Sequence, residues 1–69
     1  MTGSAFGLTG RELEILGLIA DGRVDKEIAQ QLGISVFTIN KHVRAILQKM
    51  GVESRTHAAI KAIRTGVID

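Results

Sequence analysis

Apolar residues recur along this chain at helical spacing, in four groups with a glycine after each. Leu13, Leu16, Ile19 and Ala20 make the first group, widened by Ile15 and Leu18. Ile28, Ala29 and Leu32 make the second. Ile39, Val43, Ile46, Leu47 and Met50 make the third, and Ala58, Ala59, Ile60, Ala62 and Ile63 the fourth. The pattern predicts an all-α fold, a compact domain of four helices.

Local signals place the helix ends. Thr9 and Glu12 form the T-x-x-E of a capping box, and Leu8 and Leu13 occupy the positions of a hydrophobic staple, so helix 1 starts there and ends at Gly22. Gly17, inside that helix, costs about 1 kcal/mol against Ala and suggests close approach by another helix. Asp25 is a suitable N-cap for helix 2, which runs from Lys26 to Leu32. Gly33 supplies the left-handed residue that ends it. Ile34 is a buried turn residue, and Ser35 caps helix 3, which continues to Met50. Val52, after Gly51, stands where a Schellman motif wants an apolar contact with Leu47. Ser54 caps helix 4, which runs from Arg55 to Thr65 and stops at Gly66. Residues 8–67 are thus expected to form the domain. Residues 1–7, MTGSAFG, are expected to be disordered, with Phe6 able to fold back onto the core.

Helices 2 and 3, with the glycine turn between them, span residues 25–44 and read as a helix-turn-helix. Stepping about 100° per residue around helix 3 puts its apolar group on one stripe. The opposite face carries Phe37, Lys41, Arg44 and Gln48, flanked by Thr38, Asn40 and Ala45, with no acid on the helix. Asn40 and Arg44 suit bidentate reading of adenine and guanine edges. Lys41 reaches a base or a phosphate, and Ser35 and Thr38 at the helix start are natural phosphate ligands. Lys26 stands in the first turn of helix 2, where a bound phosphate would offset its unfavourable place beside the helix dipole. Pairing with nearby acids explains Lys26 equally well. Phe37 has two readings, packing against helix 2 or pressing on a thymine methyl, of which packing is favoured. His42, between core and surface, is read as a packing residue.

The chain has 69 residues, enough for one domain that buries about 60% of its unfolded surface. It holds no Trp, Tyr or Cys and only two Phe, so its core is aliphatic and thiolate metal sites are excluded. His42 and His57 lack supporting ligands, so no metal and no cofactor is expected. The formal charge of +2 is unevenly spread. Residues 11–27 hold three cations against five anions, and residues 28–69 six against two. A one-sided basic surface of this kind fits a phosphate partner. No run is long enough to span a membrane and no secretory signal is visible, so a cytoplasmic protein is expected. A nucleophilic constellation, a phosphate-cradling glycine loop and room for a pocket are all missing, so an enzyme is not expected.

Helix 4 has apolar residues over about 200° of its circumference, about twice what one core contact needs. Ala58 and Ala62 suit close packing on the core. Thr56, Ile60 and Ile63 are left over on a second flank and are expected to form a homodimer contact.

Three segments carry a family resemblance: LTGRE at 8–12, DKEIAQQLGISVFTINKH at 25–42 and KMGVESR at 49–55. Together they make residues 8–62 resemble the LuxR/FixJ-type (GerE-like) DNA-binding domain. The resemblance implies a four-helix domain with helix 3 as recognition helix and dimerisation through helix 4. It implies backbone contacts near Lys26, Ser35 and Thr38, and base-facing positions at Asn40, Lys41 and Arg44. It also makes Glu12 and Arg55 the family's structural charged pair. Two positions depart from the family pattern. Asp25 replaces the usual Asn and adds an anion near the DNA, and Phe37 stands where a polar or basic residue is common. Such domains are usually output modules behind a receiver or signal-ligand domain, so the chain is expected to be a fragment of a larger regulator or a small stand-alone one, of which the fragment is favoured.

The expected function is sequence-specific binding of double-stranded DNA in transcriptional regulation, as a dimer on inverted repeats. The alternative is a protein-interaction module, or a sigma-factor-like promoter-reading domain, in contact with RNA polymerase. Phe37, Ile60 and Ile63 would then be the contact residues.

Overall fold

The computed structural model describes residues 6–68. Four helices follow in order: α1 (Gly10–Ala20), α2 (Asp25–Leu32), α3 (Val36–Met50) and α4 (Arg55–Arg64). α3 touches all three others, α1 also packs on α4, and α2 leans mainly on α3. This arrangement puts α3 in the middle of the core with one side left open.

The caps largely follow the sequence signals. Thr9 Oγ1 accepts from Glu12 N at 3.1 Å, and Glu12 Oε1 accepts from Thr9 N at 2.9 Å, completing the capping box. Ser35 Oγ accepts from Thr38 N at 3.0 Å, and Ser54 Oγ accepts from His57 N at 3.1 Å. α2 is the exception. Its cap is Val24, and Asp25 is already helical. Val has no acceptor to offer, so the tie comes from Glu27, whose Oε1 accepts from Val24 N at 3.0 Å. The carboxylate of Asp25 is thereby released for another partner.

Two glycines shape the exits that matter for the helix-turn-helix. Gly33 has φ +69°, and the Ile34 N–H then reaches back to Ala29 O at 3.1 Å. Gly51 has φ +68°, and Val52 N–H bonds Leu47 O at 3.1 Å, the six-to-one bond of a Schellman ending. Gly17 is different. It lies in regular helix, and a Cβ there would meet nothing within 4 Å. The expected close approach of another helix does not occur at that position.

The core is aliphatic. Ile15, Leu16, Ile28, Ile39, Ile46 and Met50 are its largest fully buried side chains. The inward face of α1 centres on Ile15 and Leu16, with Leu13, Leu18 and Ile19 only partly covered. Phe6 is half-buried and packs on this core, the fold-back that the sequence left open for it. Gly7 is exposed, and residues 1–5 of that segment lie outside the described ones.

Two ion pairs tie the helices, and neither is the Glu12–Arg55 pair that the resemblance implied. Glu12, only 5% exposed, accepts from Lys49 Nζ at 2.7 Å, joining the start of α1 to the end of α3. Arg55 bonds Asp25 instead, joining the starts of α4 and α2. A buried carboxylate is costly unless it is paired and hydrogen-bonded, and Glu12 is both. Burial pushes its pKa up, but the Lys49 ammonium and the Thr9 donors pull it further down, so it ends below the ordinary 4.5.

This fixes the sign of an acid effect. A carboxyl with a lowered folded-state pKa contributes stability that is complete above its unfolded value and is lost as pH falls through the folded one. Urea unfolding should therefore show stability dropping as pH is lowered below about 4.5. Glu12→Gln should show a smaller drop over the same interval; an equal drop would remove Glu12 from the account.

Candidate nucleic-acid interface

α3 divides its circumference between two environments. Ile39, Val43, Ile46 and Met50 are buried, while Phe37, Asn40, Lys41, Arg44 and Gln48 are exposed. The helical repeat makes these outward residues neighbours, at positions three and four apart. Phe37, Asn40, Lys41 and Arg44 line one shallow surface depression. Phe37 does not pack against α2, contrary to the reading the sequence favours; it is 71% exposed. The inward positions of the helix are already filled by aliphatic residues, so the ring is left in water with Lys41 Nζ 5.6 Å above its centroid.

The start of α3 adds two hydroxyls. Ser35 Oγ and Thr38 Oγ1 stand 3.0 Å apart, with Ser35 exposed and Thr38 half-buried. One proton is shared between them, which leaves the other for an outside acceptor. Lys26, on α2, is exposed.

Charge is partitioned by role. Arg11, Arg23, Lys49 and Arg55 are each within reach of an acid. Lys61 donates to Met50 O at 2.8 Å and lies 5.3 Å from the Phe6 ring centroid. Lys26, Lys41, Arg44 and Arg64 enter no ion pair among the described residues. Asp25, expected to stand near the DNA as an opposing charge, is held by Arg55. Two cations on the outer face of α3, and one on the first turn of α2, thus stand without an ion-pair partner among the described residues.

This is a helix-turn-helix with its second helix presented: the turn ends on a left-handed glycine, the inner stripe is buried, and the outer stripe is basic and amide-bearing. A profile of the family described as "Bacterial regulatory proteins, luxR family" matches residues 7–62.

The chain belongs to the luxR family.

Its relatives share both sequence and shape. Transcriptional regulatory protein LiaR of Bacillus subtilis is 47% identical over 62 residues, covering 90% of this chain and 29% of LiaR. Spore germination protein GerE of Bacillus subtilis is 37% identical over 62 residues, again 90% of this chain but 84% of GerE. The solved structure of the transcription factor GerE superimposes with a TM-score of 0.80 at 41% identity, covering 86% of this chain and 88% of that one. This luxR-family domain is thus a helix-turn-helix DNA-binding domain of transcriptional regulators, and it spans under a third of LiaR.

A second surface lies on α4. Ala58 and Ala62 are buried, whereas Thr56, Ile60 and Ile63 are exposed. Ile60 and Ile63, with Ile19 and Ala59, border an open apolar groove between the end of α1 and α4. The sequence separated these two faces correctly. It missed both inter-helix ion pairs, because their partners lie 37 and 30 residues apart and no local signal joins them.

Proposed function

We propose that this chain binds double-stranded DNA sequence-specifically in transcriptional control, with α3 in the major groove. The observation that carries this reading is the outer face of α3: Asn40, Lys41 and Arg44 are exposed side by side and neither cation pairs with an acid among the described residues. Arg and Asn are the side chains whose paired donors and acceptors match guanine and adenine edges. Gln48 extends the same face by one turn. Ser35, Thr38 and Lys26 surround the start of α3 and take backbone phosphates, which set the register of the helix without reading sequence.

The second part of the proposal is a homodimer through α4. Exposed isoleucines on so small a domain favour burial against a like surface, and Thr56, Ile60 and Ile63 face outward together. A twofold pair would place two recognition helices on an inverted repeat with half-sites about 10 bp apart. The fraction of LiaR that the chain spans fits an output module joined to a receiver or ligand-binding domain, in a cytoplasmic regulator. The same exposed isoleucines also favour a second reading, in which α4 meets RNA polymerase or another protein.

After selection of a site from random duplexes, Lys41→Ala and Arg44→Ala should each weaken binding to that site by about 1–3 kcal/mol. Lys26→Ala should weaken selected and unrelated duplexes alike and lower the salt dependence by about one ion. Unchanged affinity of Arg44→Ala for the selected site would end its assignment as a base reader. The dimer has its own test. Ile60→Lys with Ile63→Lys should leave single half-site affinity intact and lose the tighter binding to the inverted repeat. Retention of that tighter binding would transfer α4 to the protein-interaction reading.

A further inference from the structure

We infer that Phe37 is a specificity residue that reads the 5-methyl group of a thymine in the major groove. The inference rests on the major-groove reading of α3 and adds a base identity to it. Phe37 is the second residue of α3, and the N-terminal residues of a recognition helix are those that meet base edges. Its ring is 71% exposed in the free domain, so a large apolar surface waits for a partner. The ring shares its depression with Asn40, Lys41 and Arg44, the groups proposed to hydrogen-bond bases. An apolar ring among such donors needs an apolar feature on the same groove floor. The major groove offers one on its base edges, the methyl at C5 of thymine, which 5-methylcytosine also carries.

Lys41 makes the placement specific. It lies one helical turn beyond Phe37, with its ammonium 5.6 Å over the ring centroid. That contact holds one face of the ring beneath the cation and leaves the edge and the other face for the base.

The test uses a site selected by the whole 69-residue chain from a synthetic random library without methylated cytosine, so that any methyl read there is thymine's. Each thymine of the site is replaced in turn by deoxyuridine, which keeps every hydrogen-bonding group and removes the methyl alone. Wild type should bind about fourfold more weakly at one such position in each half-site, the loss expected for one buried methyl. Phe37→Ala should bind the thymine and uracil duplexes equally there, and its thermal unfolding should match wild type because the ring is exposed. Wild-type insensitivity to every uracil replacement would overturn the inference while leaving the reading of α3 intact. So would a Phe37→Ala protein that still prefers thymine, or that binds all duplexes more weakly without distinguishing them. Selection of no sequence at all would overturn the major-groove reading, and this inference with it.

Discussion

The position of every outward group on α3 depends on the burial of its inward stripe. A helix of fifteen residues is marginal in water by itself, so α3 persists because Ile39, Val43, Ile46 and Met50 are covered by the other three helices. The same burial sets the rotation of the helix about its own axis. A slip of one residue in packing would turn the rod by about 100°, carrying Lys41 and Arg44 off the open side and bringing polar groups into the core. Hydrophobic packing on one side of a helix therefore aims the polar chemistry on the other.

Polar ties then hold the surrounding frame without drawing on that chemistry. Glu12 and Lys49 clamp the first turn of α1 to the last turn of α3, and Asp25 and Arg55 clamp the starts of α2 and α4. Both pairs are partly or wholly shielded, where losing one partner is more costly than at the surface. Four cations are committed to acids and a fifth, Lys61, to a carbonyl and a ring. The two cations on the outer face of α3 pair with no acid among the described residues.

Periodicity and capping made most of the fold legible. The stripe on α3, the Thr9–Glu12 box, the Ser35 and Ser54 caps and the Gly51–Val52 exit are local features, each written within a few residues, and each is present in the structure. Long-range pairing was not legible in the same way. Which cation meets Glu12 depends on how the end of α3 crosses α1, and no spacing records that; Lys49 arrives where Arg55 was expected. Asp25 had the chemistry of a cap, but the chain enters α2 one residue earlier and Glu27 serves instead. Phe37 was misjudged because an aromatic residue is usually drawn to a core, and here the inward positions were already occupied. For the interface, the residue types on α3 were readable from the helical wheel, whereas their freedom from ion pairs became visible only with the neighbouring helices in place.

Nuclear magnetic resonance titration of the domain with its selected duplex tests the central claim most directly. The account predicts that backbone and side-chain signals move along the outer face of α3, from Ser35 to Gln48, and at Lys26, while those of Ile15 and Leu16 on the far side of the core stay nearly still. Movement confined to α4 around Ile60 and Ile63, with α3 unaffected by DNA, would contradict it.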